Sequence, residues 1–190
     1  MRERAGGSWH ARALVGLLVT VVAGSAGAQA LGPARTGPII ADYGPVYEVE
    51  SPEFATPLDA EYRLVFDVKT APDDTTLVNP AIGTLARFLN MHARAGVPLE
   101  QMHLALVLHG SAGKDALDHT AFRDRYGHDN PNRDLLVQLA AANVEIILCG
   151  QTAMHRGLPP AQLADPVRLA LSAMTALATL QQQGYTLIAF

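Results

Sequence analysis

The only cysteine among the 190 residues, Cys149, ends the apolar run EIILC and is followed by Gly150, Gln151 and Thr152. The next residues, AMHR, read as the first turn of a short helix closed by Gly157. A thiol just before a helix start faces free backbone N–H groups and the positive end of the helix dipole, and both stabilise a thiolate. Gly150 lets such donors approach the sulfur, with Gln151 beside them. Two readings stand at this position: a stabilised nucleophile, or the small buried hydrophobe that free cysteine usually is. His109 and Gly110 end a second apolar run, MHLALVLHG, and Lys69 follows a third, YRLVFDV. An imidazole near the thiol accepts its proton or, when charged, stabilises the thiolate; otherwise His109 is a strand-end histidine satisfied by loop backbone.

Other chemistries find little support. The histidines show no H-E-x-x-H spacing and a single cysteine forms no C-x-x-C pair, so no metal site is expected from His109, His119, His128, His155 and Cys149. Neither G-x-x-x-x-G-K-[ST] nor G-x-G-x-x-G occurs, and G-x-S-x-G is missing too, which removes the usual phosphate cradles and the serine-hydrolase elbow. No cofactor is expected. Lys69 and Lys114 are the only lysines, the arginines are scattered, and the formal charge is -4, so the basic footprint of a nucleic-acid partner is lacking.

The elements that must position the thiol can be read from the apolar pattern. The segments 62–68, 102–110, 145–150 and 185–190 are short and apolar in their centres, as strands buried on both faces are. Helices are expected at about 79–95, 131–143 and 166–183, each behind a start signal: Asn79-Pro80, Asn130-Pro131 and Asp165-Pro166. Gly96 and Gly184 stand where helix ends need them. Alternating strands and helices imply right-handed crossovers, hence an α/β fold: a three-layer sandwich whose small parallel sheet is covered by helices on both faces. In such a sheet the strand exits share one rim, which brings Lys69, His109 and Cys149 together.

The amino-terminal segment has a different character. Arg2, Arg4 and Arg12 precede the apolar stretch ALVGLLVTVVA and the small-residue string GSAGAQA, the three parts of a cleavable export signal. Two A-x-A frames place the cut after Ala28 or Ala30. The expected division is a signal peptide at 1–28, a Pro/Gly-rich extended arm at 29–60 and an α/β domain at 61–190. Removing 1–28 takes the formal charge from -4 to -6. The mature chain is then expected in the periplasm or secreted, with no membrane partner once the signal is gone. Ile39, Ile40, Tyr43, Val46 and Tyr47 are apolar enough for part of the arm to pack across the domain.

VFDVK, LALVLHG, NRDLLVQLAAANVEIILCGQTA and the terminal LALSAMTALATLQQQGYTLIAF together resemble the DsrE/DsrF-like family of small α/β sulfur-relay proteins, with a flavodoxin/Rossmann-like sheet. The likeness spans about 61–190 and is most specific from Asn132 to Thr152, where an amphipathic helix leads into a strand ending in Cys-Gly. It implies that Cys149 accepts sulfur as a persulfide and that a sulfur donor or acceptor protein is a partner. It also implies a homo-oligomer, a trimer or hexamer. Read from the strand exits, His109 is the candidate to assist the thiol, and Lys69, Gly110, Gly150 and Gln151 are the candidates to line the binding rim. The competing expectation is a non-catalytic oligomeric module of the same fold that binds a small ligand or a protein.

Overall fold

The computed structural model describes residues 32–189. Its strands are β1 (Tyr62–Val68), β2 (Met102–Leu108), β3 (Glu145–Cys149), β4 (Val167–Ala170) and β5 (Thr186–Ala189). They form one sheet in the order β4-β3-β2-β1-β5, and every pair is parallel. The helices are α1 (Pro80–Arg94), α2 (His119–Tyr126), α3 (Arg133–Ala141), α4 (Gly150–Arg156) and α5 (Ala173–Gln182). Parallel strands cannot be joined by tight turns, so each strand is joined to the next by a crossover containing a helix.

Two apolar clusters lie on the two sides of the sheet. Phe66, Leu104, Leu106, Leu108, Ile146 and Leu148 pack with Ile82, Leu85 and Leu89 of α1 and Leu135, Leu136 and Leu139 of α3. The alternate strand residues Val65, Ala105, Val107 and Cys149 pack with Ala173, Ala176 and Leu180 of α5. This is the three-layer α/β sandwich that the pattern implies. The second face is thinly covered, since α5 is the helix that meets all five strands there.

The elements differ from the sequence expectation chiefly after Asp165. The run read as one helix at 166–183 is the edge strand β4 followed by α5. Ser172, inside that run, starts the helix: its Oγ accepts a hydrogen bond from the Thr175 N–H at 3.0 Å. Asp165-Pro166 therefore precedes a strand, and the apolar run behind it belongs to two elements rather than one helix. Asn79 does cap α1, its Oδ1 accepting from the Ala81 N–H at 3.0 Å. Asn132, not Asn130, is the residue before α3, and the Asn130 Oδ1 accepts from the Asn132 N–H at 2.9 Å in the turn that leads into the helix. The helix α2 had no counterpart in the sequence reading, and its cap is Asp118, whose Oδ1 accepts from the Ala121 N–H at 2.7 Å.

Residues 32–60 form no strand or helix, and residues 36–44 lie against α1. Asn90, fully buried on α1, accepts from the Ile39 and Ile40 N–H groups at 3.1 and 2.8 Å and donates to the carbonyls of Ile40, Tyr43 and Gly44. Ile40 and Val46 enter the core, whereas Tyr47 is 59% exposed. Gly44 crosses the helix so closely that a Cβ would lie 2.4 Å from backbone atoms of Ala86 and Arg87.

Candidate functional site

Cys149 is the last residue of β3 and the residue before α4. Its Sγ accepts a hydrogen bond from the Thr152 N–H at 3.5 Å, and the residue is 6% exposed. Burial pushes the thiol pKa up, but the Thr152 N–H, the Thr152 hydroxyl and the Ala173 and Gln151 N–H groups outweigh it, so the pKa lies below the ordinary thiol value. Thiolate stabilisation at this position thus arises from local donors.

Each donor is held by a recognisable device. The Gly110 N–H donates to Thr152 Oγ1 at 3.1 Å, which engages an oxygen lone pair and leaves the hydroxyl proton for the sulfur. A Cβ at Gly113 would lie 2.6 Å from Thr152 Cγ2, so glycine there makes room for the threonine. A Cβ at Gly150 would lie 2.5 Å from the Ala170 carbonyl oxygen and 3.0 Å from that of Leu171. The missing side chain lets the β4–α5 connection pass over Gly150 and carry the Ala173 N–H to the thiol. The Gln151 side chain is directed to the same connection, its Nε2 donating to the Leu171 carbonyl at 3.3 Å.

His109 follows β2, and its imidazole Nε2 lies 2.8 Å from Asp67 Oδ1 at the end of β1. Both side chains are about three-quarters buried, with 22% and 25% exposed. Among the described residues no hydrogen bond joins His109 to Cys149. Lys69 is exposed just beyond β1, and its backbone carbonyl accepts from the Ala112 N–H at 3.3 Å. Gly110 turns the chain at a φ of 56°, where a Cβ would lie 2.6 Å from that same carbonyl oxygen.

Behind this rim lies a buried polar network. Asp115 is fully buried; its Oδ1 accepts from Lys114 Nζ at 2.6 Å and its Oδ2 from Asn79 Nδ2 at 2.8 Å. Asn79 also donates to the Thr70 carbonyl, and its N–H donates to Asn132 Oδ1. Asn130 donates to the carbonyls of Asp115 and Leu117. The connections after β1 and β2 and the start of α3 are thereby tied together, which fixes the rim that carries His109. Burial raises the Asp115 pKa against the lowering effects of Lys114 and Asn79.

Asp67, Thr152 and Ala173 were not singled out by the sequence. Thr152 had a legible signal, being three residues beyond the cysteine, where the side chain before a helix meets the third N–H. Ala173 had none, because its donor is a backbone group brought in by a separate strand connection. Among the described residues no group of three or more His, Cys, Asp or Glu side chains is arranged to hold a metal ion. A hollow of about 750 Å³ lies elsewhere, between the arm and the end of α1, lined by residues such as Tyr47, Val49, Met91 and Arg94. It includes none of the rim residues.

No functionally curated protein matches the sequence. Among solved structures, the chain is similar to MTH1491, a protein of unknown function from Methanobacterium thermoautotrophicum, at 18% identity and a TM-score of 0.51, covering 68% of this chain and 99% of that one. It is also similar to the ychN protein from E. coli, at 22% identity and a TM-score of 0.49, over 68% and 99% of the two chains. The first of these likenesses concerns the fold alone. The sequence matches the DsrE/DsrF-like family over residues 64–190, a span that contains the sheet rim and Cys149, and the chain belongs to that family.

Proposed function

We propose that the protein is an exported sulfur carrier or sulfurtransferase-type protein in which the Cys149 thiolate accepts sulfane sulfur as a persulfide. The observation that carries this reading is the set of donors around the sulfur: two groups of Thr152 and the backbone N–H groups of Gln151 and Ala173. The thiolate attacks the outer sulfur of a donor persulfide. An S–S bond to Cys149 forms, the donor's S–S bond breaks, and its electron pair leaves on the donor thiolate. No organic cofactor enters that exchange. Lys69, Gly110, Gly150 and Gln151 line the rim at which donor and acceptor would meet.

Export rests on the basic, apolar and small-residue segments at 1–28, which lie outside the described residues. The periplasm or the exterior is the proposed location. The test is intact-mass analysis of protein taken directly from that compartment, with amino-terminal sequencing of the same sample. An added mass of about 32 Da, one sulfur atom, that disappears in Cys149→Ser is the expected result. A chain beginning at Gln29 or Leu31 is expected with it.

A binding module of the same fold is the second reading, favoured by Met154, Leu171 and Met174, which stand 78%, 73% and 78% exposed on α4, the β4–α5 connection and α5. Iodoacetamide separates the two readings. A module with a structural cysteine resists alkylation until it unfolds, whereas a stabilised thiolate reacts in the native state.

A further inference from the structure

Three side chains with reactive chemistry share one face of the sheet at its rim. Val65 of β1, Val107 of β2 and Cys149 of β3 all pack into the α5-side cluster. Side chains alternate along a strand, so Asp67, two residues after Val65, lies on that face too. His109, two residues after Val107, continues the alternation, because its backbone is still extended at φ -154° and ψ -175°. The 2.8 Å contact between His109 Nε2 and Asp67 Oδ1 confirms that the two side chains are on one side. The register pairs Asp67 with Val107 and Leu108 with Leu148. The backbone of His109 therefore sits at the rim one strand spacing of about 4.8 Å from that of Cys149, while its imidazole Nε2 reaches to Asp67 on the other side of β2.

The pair is nevertheless separate from the thiol. The hydrogen bond to Cys149 Sγ comes from the Thr152 N–H, with the Gln151 and Ala173 N–H groups close enough to favour the thiolate, and His109 donates none. A thiolate already held by those donors needs no base. The carboxylate at Nε2 fixes the neutral imidazole as the Nε2–H tautomer, which leaves Nδ1 with a lone pair and with no hydrogen-bond partner among the described residues. A base at the rim with its tautomer set by a carboxylate, beside a thiol that does not use it, fits a second reactant that arrives protonated.

We propose that His109 is the general base for the acceptor thiol that discharges the Cys149 persulfide, and that Asp67 is the positioning residue that sets its tautomer. The proposal rests on the persulfide reading above. In the step, Nδ1 of His109 takes the proton of the acceptor thiol R–SH. The resulting R–S⁻ attacks the outer sulfur of Cys149–S–SH, an S–S bond forms in R–S–SH, and the bond to Cys149 breaks. The electron pair returns to Sγ as the thiolate, where Thr152, Gln151 and Ala173 receive it. Charge and atoms balance: the neutral reactants give R–S–SH, the Cys149 thiolate and protonated His109, which returns its proton to solvent.

The test uses the full mature chain, loaded with inorganic polysulfide and checked for added sulfur by intact mass. Discharge from the loaded fraction is then timed at about pH 7 with two small thiols: an alkane thiol, which is protonated there, and an aromatic thiol with a pKa near 6.5, which is largely ionised. General-base assistance contributes about 10²–10⁴-fold. His109→Gln is expected to slow discharge to the alkane thiol at least tenfold while discharge to the aromatic thiol changes less than threefold. Asp67→Asn is expected to give the same selective loss at smaller amplitude, and Asp67→Glu to restore part of it. A loss affecting both thiols alike, or neither, overturns the proposal and leaves the persulfide reading standing. Loss of Cys149 alkylation in His109→Gln overturns it too, by assigning the imidazole to Cys149. A wild-type chain that takes up no sulfur fails at the first step, and the persulfide reading falls with the proposal.

Discussion

Cys149 is buried among apolar residues of β2 and α5, surroundings that by themselves keep a thiol protonated. The donors from Thr152, Gln151 and Ala173 reverse that preference, so the sign of the net shift depends on two chain segments, the starts of α4 and α5, meeting at one sulfur. The alkylation rate of the native protein is expected to rise with pH through a midpoint below the free-thiol value of about 8.5. The same shift is a stability statement. A pKa depressed in the folded state adds stability that is fully present above about 8.5 and lost as pH falls through the folded value. The urea midpoints of wild type and Cys149→Ser should accordingly diverge as pH rises toward about 9 and converge in acid; a pH-independent difference would contradict the shift. Gly150→Ala probes the geometry. Its methyl must displace the Ala170 carbonyl oxygen from 2.5 Å, an overpacking expected to destabilise the fold by about 1–3 kcal/mol. Moving that connection withdraws the Ala173 N–H, so the alkylation midpoint of the variant should rise above that of wild type. An unmoved midpoint would show that Ala173 contributes nothing.

At the scale of elements, the arm and α1 are joined by one side chain. Asn90 lies on the apolar stripe of α1 that contains Ile82, Leu85, Ala86 and Leu89, where an amide is out of place unless it has partners. All its polar capacity is spent on the backbone of residues 39–44. Asn90→Ala leaves those backbone groups unpaired and is expected to cost about 2–4 kcal/mol, the scale of a few buried hydrogen bonds. Limited proteolysis should then cut between residues 32 and 60 before the sheet unfolds; cleavage no faster than in wild type would count against the clasp. β1, β2 and β3, α1 and α3 were legible within about two residues, because a buried parallel strand is almost uniformly apolar and a capped amphipathic helix is periodic. β4 was not, since Val167-Arg168-Leu169-Ala170 runs without a break into the apolar text of α5, and four residues are too few for a period to declare itself. Only Ser172, a helix cap inside the run, marks the boundary. The rim positions of Lys69, His109 and Cys149 followed from topology alone. The pairing of His109 with Asp67 did not, because it depends on strands 42 residues apart meeting in a particular register.

For the whole molecule, the exposed apolar side chains are unevenly placed. Met154, Leu171 and Met174 of α4, the β4–α5 connection and α5 stand more than 70% exposed, and the connection is the one that passes over Gly150. Single exposed apolar residues are ordinary, but three from the β4–α5 connection, α4 and α5 are the composition of a contact surface. The apolar text at 166–183 supplies this surface from the β4–α5 connection as well as from α5. We propose that a closed assembly of identical chains, of three or six subunits, covers it. In such an assembly the access of partners to Cys149 would be set by the neighbouring chain as well as by its own. Sedimentation equilibrium at micromolar concentration is expected to give a multiple of the single-chain mass. Leu171→Glu combined with Met174→Glu should shift that mass toward one chain, because two carboxylates cannot be buried there without partners. The double variant should retain its thermal unfolding transition, since both side chains project from the surface and support no core contact. A wild-type protein that sediments as one chain would remove self-association and leave the collar free for a partner of another kind.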